Sequence, residues 1–342
     1  MITEILKRLY GILFFYTGLF HVVRFIHNVT GKRLTIVTYH RITNGRVKDI
    51  EASLPYLFTS TTNFRKHLQF IKKWYKVTSF QDMSSIKNGN ELPWNSLIIT
   101  FDDGYEDNYQ AAYPILKELD LPATLFVAVD SIENQDQNLF WWDRLYYYFG
   151  QLRRLKENGQ ITQQISSEIL ALFEQFCTNP SQLFAQLNEL DGSTINELAL
   201  NLRDLLCISD KTPEKENRMM NWDHLYSMQN YVDCGSHTCS HSNLVKMDVD
   251  QQAFEISESK KIIEKKTSKK VHVLSYPCGI FNDRLKDAAC RLGYECAVTT
   301  IRGINNLSDR YALKRINIWE GTSLSLNGTY AKGYFAYKLV GF

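Results

Sequence analysis

Two short segments, far apart along the chain, bring together the side chains best suited to chemistry. Residues 97–109 read Leu-Ile-Ile-Thr-Phe-Asp-Asp-Gly-Tyr-Glu-Asp-Asn-Tyr. The apolar run Leu97, Ile98, Ile99 has the character of a strand and ends on adjacent carboxylates, Asp102 and Asp103. Gly104 then permits a sharp turn. Neighbouring residues at the end of a strand point in different directions, so one carboxylate can bind a metal while the other faces water or substrate beside it. Downstream, Gly235-Ser236-His237-Thr238-Cys239-Ser240-His241 offers two imidazoles four residues apart. On a helical turn that spacing puts both on one face, within reach of a single ion. One carboxylate and two imidazoles make a metal triad with positions left open for water and substrate.

The elements that must position these residues alternate between strand and helix. Strands are expected at 34–42, 97–102 and 124–129, with a capped helix at 61–75 and another at about 107–119. After 230 the alternation resumes, with residues 231–234 entering the histidine motif and a charged helix at 250–266. A strand at 271–274, a helix at 282–292 and short strands at 296–300 and 313–319 complete it. Such alternation predicts parallel βαβ units. Between 131 and 229 the pattern changes to long stretches rich in Gln, Glu and Leu, a mostly helical insertion that either walls the substrate groove or pads the scaffold. The expected organisation is an N-terminal amphipathic helix over 1–30, an α/β domain built from 31–130 and 230–342, and the insertion over 131–229.

Composition narrows the partners. The 342 residues carry a net charge of +2 and are 44% hydrophobic, enough for one large α/β domain with an insertion. No clustered basic face is evident, so nucleic acid is not an expected partner. Aromatic residues make up 13% of the chain, which serves a large core first and a sugar-binding cleft second. The seven cysteines are odd in number and contain no Cys-x-x-Cys pair, which argues against a disulfide framework or a thiolate zinc site and suits a reducing compartment. Residues 2–28 are apolar and aromatic, interrupted by His21 and Arg24, and lack a small-residue cleavage site. The segment reads as an amphipathic helix that lies on a membrane surface or packs on the domain. A cytoplasmic protein is expected, with residues 2–28 as its peripheral contact at the inner face of the membrane.

Thr100-Phe101-Asp102-Asp103-Gly104 and His237-Thr238-Cys239-Ser240-His241 resemble the first two signature motifs of the polysaccharide deacetylases, the NodB-homology or carbohydrate esterase 4 group. Ile36-Val37-Thr38-Tyr39-His40-Arg41-Ile42 resembles the opening strand of one branch of that family, and Ser275-Tyr276-Pro277-Cys278-Gly279 its third motif. The likeness covers roughly residues 34–130 and 230–320. It implies an α/β fold, a distorted (β/α) barrel with a groove at the carboxyl ends of its strands. It also implies a metal-dependent hydrolase that removes N-acetyl groups from amino sugars of a polysaccharide or glycolipid, through a metal-activated water. Carried over residue by residue, Asp103, His237 and His241 hold the metal and Asp102 is the general base. Zinc suits the ligand set best, with cobalt, nickel or manganese also compatible.

The chain departs from the family at three places. Ser275 stands where the third motif has an arginine that steadies the base, and Cys278 stands where it has an aromatic residue. The backbone N–H of Cys278 survives as an oxyanion donor, because any residue but proline supplies one. No activating pattern surrounds Cys278 as a nucleophile. Arg315 or Arg41 is the expected replacement for the lost charge, arriving from another strand end. The fourth motif is not recognisable. The last, which provides a histidine acid, is replaced by Leu313-Lys314-Arg315-Ile316-Asn317-Ile318-Trp319. His40, at the end of the first strand, is the candidate to replace that acid or to contact substrate. Two other readings follow from these gaps: a catalytically weak glycan-binding homologue, and an amidase acting on a non-sugar amide.

Overall fold

The computed structural model describes residues 2–31, 33–45, 53–81, 92–133, 140–160, 165–190, 192–207 and 217–341. Among them are seven parallel strands: β1 (Leu34–Tyr39), β2 (Ser96–Phe101), β3 (Ala123–Val127), β4 (Val232–Ser236), β5 (Val273–Ser275), β6 (Cys296–Arg302) and β7 (Leu313–Asn317). Their spatial order is β1-β7-β6-β5-β4-β3-β2, and β2 pairs back onto β1, which closes the sheet into the expected barrel. Lys76–Val77 extends the sheet beyond β2, and Arg41–Thr43 pairs separately with Phe58–Ser60. Strands buried on both faces read as continuous apolar runs rather than alternating ones, and β1 and β2 are buried at every position.

Alternate residues of the strands pack a small inner core of Leu34, Ile36, Ile98, Phe126, Val298 and Leu313. Their neighbours in sequence, such as Val37, Leu97, Ile99 and Leu125, face a larger outer core beneath the helices. Thr61–Trp74 (α3 in chain order, after the two N-terminal helices below) is capped by Ser60, whose side chain accepts from the Asn63 N–H. Tyr113–Leu119 (α4) follows a single π-turn over Asn108–Ala112.

The N-terminal segment is two helices, α1 (Ile2–Tyr16) and α2 (Leu19–Val29), where one was expected over 1–30. Gly18 takes φ 83°, a left-handed conformation that ends one helix and lets the next begin at 81° to it.

The insertion is helical, built from α5 (Trp141–Glu157), α6 (Ser167–Thr178), α7 (Pro180–Leu187) and α8 (Gly192–Leu205). It has its own core, in which Leu145, Phe149, Phe173, Phe176, Leu183 and Leu202 meet. The expected limit at 229 is too late. The next helix, α9 (Trp222–Met228), buries Leu225 and Met228 in the outer barrel core, because it is the crossover that delivers β4. Beyond the barrel's histidine loop come α10 (Val249–Thr267), α11 (Asp283–Arg291) and α12 (Lys332–Leu339).

Phe149 is fully buried between α5 and α6, with its ring 5.2 Å from that of Phe176. Phe149→Ala is expected to cost about 3–5 kcal/mol of unfolding free energy in a urea melt followed by circular dichroism. A cost below about 1 kcal/mol would mean that the insertion core can collapse around the gap.

Candidate active site

Strand register sets the site. Tyr39 lies opposite Phe101, and Val127 opposite Ser236, so residues 40, 102 and 237 leave the barrel at one level. The Asp102 N–H donates to the Tyr39 carbonyl at 3.0 Å, and the His237 N–H to the Val127 carbonyl at 2.9 Å. Asp103 then takes φ 79° and Gly104 φ 93°. This left-handed turn points the Asp103 side chain away from that of Asp102. The Gly104 carbonyl holds the turn by accepting from the Met220 N–H at 2.9 Å.

The two histidines do not lie on a helical turn, as their spacing suggested. Residues 237–243 form an irregular loop in which Thr238 and His241 have φ of 68° and 57°. Glu255 on α10 fixes that loop: its carboxylate accepts from the Cys239 N–H at 2.8 Å, the Ser240 N–H at 3.0 Å and the Ser240 hydroxyl at 2.6 Å. The loop still brings the imidazoles together, with ring centroids 4.5 Å apart and planes at 89°. His237 Nδ1 donates to the Ser275 carbonyl at 2.8 Å, which leaves Nε2 as the lone-pair nitrogen. Nε2 of His237 lies 3.6 Å and Nε2 of His241 3.5 Å from Asp103 Oδ1.

These three residues fit a divalent cation. Their ligand atoms all lie within 4.8 Å of one another. Tetrahedral zinc with bonds of about 2.0–2.1 Å needs ligand atoms roughly 3.3 Å apart, close to the two separations above. Electrostatics agrees with the geometry. Burial, and then the neighbouring Asp102 charge, push the Asp103 carboxyl well above the usual range. Burial also lowers the basicity of His237 and His241, so both stand as neutral donors.

Asp102 lives in the opposite environment. Burial disfavours its charge, but the Arg315 guanidinium overrides this and holds the carboxyl well below the ordinary range. The pair is bidentate, with Arg315 Nη1 2.7 Å from Oδ1 and Nη2 2.7 Å from Oδ2. Arg315 is 1% exposed, and its remaining N–H groups donate to the Thr299 carbonyl, the Thr38 hydroxyl and the Ser275 hydroxyl. Its Cζ stands 5.5 Å above the Phe126 ring, the top of the inner core. Of the two expected replacements, Arg315 therefore reaches Asp102. Arg41 does not: it pairs with Asp107 and Asn217 and lies between the rings of Phe58 and Tyr105.

His40 Nε2 lies 3.9 Å from Asp102 Oδ2, and its Nδ1 is buried without a hydrogen-bond partner. Burial pulls its pKa down to about 4, against the pull of Asp102. Cys278 has φ 55° and lies at the mouth, where its thiol donates to Asn188 Oδ1 at 3.3 Å and burial raises its pKa to about 11. That thiol is no nucleophile.

His40, Asp102, Asp103, His237, His241, Cys278 and Arg315 line a cavity of about 230 Å³ whose far wall is apolar: Leu54, Tyr56, Leu57, Trp141, Trp142 and Phe184. A second, more polar groove of about 700 Å³ adjoins it at Trp141, Trp142, Asn188 and His241. Phe140 and Trp142 set their edges against the His241 ring, with centroids 5.3 and 5.0 Å away. Sequence reasoning missed these aromatic contacts and Glu255. The cluster of aromatics at 140–142 was a usable signal, whereas nothing local marks Glu255 among the acids of its helix.

With this geometry in place, a family model described as polysaccharide deacetylase matches residues 89–169 and 208–297, half of the chain. YxkH of Bacillus subtilis (strain 168), named as a polysaccharide deacetylase, is 24% identical over 301 residues, covering 87% of this chain and 76% of that protein. The solved deacetylase PplD of Streptococcus pyogenes, in complex with acetate, superimposes with a TM-score of 0.56 at 20% identity, covering 85% of this chain and 94% of its own. A de-N-acetylase of Aggregatibacter actinomycetemcomitans gives 0.53 at 20% identity, covering 83% and 94%. At these identities the two structures establish the likeness of the fold.

Removing the guanidinium leaves a buried carboxylate unpaired. Arg315→Met is expected to lower unfolding free energy by about 3–5 kcal/mol in urea titrations. Ser275→Ala, which loses one neutral partner of the same group, should cost about 1 kcal/mol. Equal effects from the two variants would show that the ion pair is not what holds Asp102 in place.

Proposed function

The chain belongs to the polysaccharide deacetylase family, hydrolases of carbon–nitrogen bonds other than peptide bonds, and from that premise we propose that it removes N-acetyl groups from amino sugars in a polysaccharide or glycolipid, with a divalent metal, zinc first among the candidates. The observation that carries this reading is the separation of the two adjacent carboxylates. Asp103 faces His237 and His241, while Asp102 is ionised against Arg315 at the wall of the same cavity.

When bound at Asp103, His237 and His241, the ion supplies Lewis-acid polarisation of the acetyl carbonyl and lowers the pKa of its water. Asp102, kept charged by Arg315, is the general base that takes the proton of the attacking water. Arg315 also fixes both carboxylate oxygens in direction, so the base does not rotate as it gains the proton. His40 is neutral beside Asp102 and borders the cavity. To serve the departing amine it would first take up the proton that Asp102 gains from water and then hand it on, and its other role is to hold the sugar. Cys278 contributes its backbone N–H at the mouth to the developing oxyanion. Tyr56, Trp141, Trp142 and Phe184 give flat apolar faces suited to the C–H faces of sugar rings. The missing third-motif arginine had favoured a catalytically weak glycan binder, and Arg315 in its place supports a working base.

Acetate release from N-acetylglucosamine oligomers by zinc-loaded protein tests the reading. Asp102→Asn is expected to lower kcat by about 10²–10⁴ while metal content by elemental analysis stays unchanged. His237→Ala and His241→Ala should each lose the metal. Full turnover in the Asn variant removes Asp102 as base, and unaltered metal content in both Ala variants removes the triad. Turnover of simple acyl amides, with none of the sugars, would favour the amidase reading.

A further inference from the structure

We propose that α1 and α2 form a docking surface for an anionic phospholipid bilayer, lying in its interface rather than crossing it. The two helices present a continuous apolar stripe to solvent. On α1 the exposed positions are Leu6, Leu9, Tyr10, Leu13 and Tyr16, and on α2 they are Leu19, Val22, Phe25, Ile26 and Val29. These recur at steps of three and four residues, so each helix shows one apolar face outward. Leu13 is 61% exposed and Phe25 56%, so the stripe is not a margin of the core. Trp94 extends it, half exposed, with its ring edge-on to Phe25 at 6.0 Å.

The opposite faces are already committed to the barrel. Phe14 and Phe20 are buried in the outer core. Gly11 and Gly333 let α1 and α12 touch backbone to backbone: a Cβ on Gly333 would fall 2.8 Å from Ile12 Cα. Arg8 donates to the Ser325 carbonyl at 3.1 Å, Arg24 to the Trp74 carbonyl and to Asn95 Oδ1, and Asn28 to Asn95 Oδ1 at 2.8 Å. Among the described residues the pair is therefore fastened with its apolar side outward.

Length and charge select the occupant. A span needs roughly 20 apolar residues in one run, while α1 has 15 residues and α2 has 11, set at 81°. No described helix is long and apolar enough to cross, and because Phe14 and Phe20 hold the bent pair against the barrel, it suits the plane of an interface. Of the five Lys or Arg in residues 1–33, Arg8 and Arg24 are engaged with the barrel, and Lys7, Lys32 and Arg33 stand against the single Glu4, a net +2 before the histidines. Anionic headgroups complement that charge. Tyr10, Tyr16 and Trp94 are the amphipathic rings that prefer the headgroup level. A second copy seated on the same face by two-fold symmetry would set two such positive surfaces against each other.

Vesicle flotation of the full chain tests this independently of the proposed reaction. Protein is expected to float with phosphatidylcholine vesicles containing phosphatidylglycerol, and much less with phosphatidylcholine alone. The exposed double substitution Leu13→Glu/Phe25→Glu should cut the bound fraction at least about tenfold without changing the thermal melt. Lys7→Gln/Arg33→Gln should weaken binding and flatten its salt dependence. Failure of the unaltered chain to float with anionic vesicles overturns the proposal. So does a dimer in sedimentation that the Glu variant converts to monomer while vesicle binding is unchanged, since the stripe would then belong to a second copy.

Discussion

Two carboxylates on consecutive residues, both taken out of water, cannot both be charged unless each meets its own positive partner. Like charges and low dielectric act in the same direction here, each favouring protonation of one acid. Asp102 escapes this through Arg315, whose planar fork meets both oxygens at 2.7 Å. Asp103 has no such arginine. It faces two neutral imidazoles, and its carboxyl is pushed upward as a result. A cation between Asp103 and the histidines, as proposed, would remove the remaining imbalance and let the site hold two anions side by side. The barrel, the strand registers and the turn at Gly104 all act to hold these two environments a few ångströms apart.

The backbone supports that separation with unusual conformations. Asp103, Thr238, His241 and Cys278 all have positive φ, although none is glycine. Each such residue carries a strain of order 1–3 kcal/mol that persists only where its surroundings over-determine it, less for an aspartate than for a threonine. The surroundings here are specific. Glu255 ties down the histidine loop by three hydrogen bonds, and Thr238 Oγ1 accepts from the His241 N–H at 3.1 Å. At the third loop, Gly279 with φ 71° packs directly against Thr300, so no side chain fits there. The aromatic edges of Phe140 and Trp142 brace His241 from the insertion side.

Much of this was legible in the sequence, for reasons that differ from residue to residue. The Asp-Asp-Gly segment ends an apolar strand and the alternation of strands and helices around it predicts parallel βαβ units, whereas the closed barrel and the roles of the two aspartates came from the family resemblance. The histidine pair was found by its spacing, yet the spacing suggested a helix where the chain makes a left-handed loop. Two residues separated by three others can meet in either conformation. Arg315 was one of two candidates. The inward phase of Leu313 and Arg315 on one strand, with Lys314 between them facing out, carried the deciding information, and it emerges only once the closed barrel fixes which face is inside. Glu255 and the end of the insertion were hidden because both depend on which helix packs against which strand.

The parallel strands give the molecule two unlike ends. Asn28 of α2 bonds to Asn95, the residue before β2 begins, whereas Asp102 follows directly after β2 ends. A six-residue strand is about 20 Å long, so Asn28 and Asp102 stand about that far apart, at opposite ends of β2. α1 climbs back along the flank of the barrel, where its Arg8 bonds to Ser325 beyond the carboxyl end of β7. A molecule resting on lipid through both helices would therefore lie on its flank, with its mouth opening along the surface.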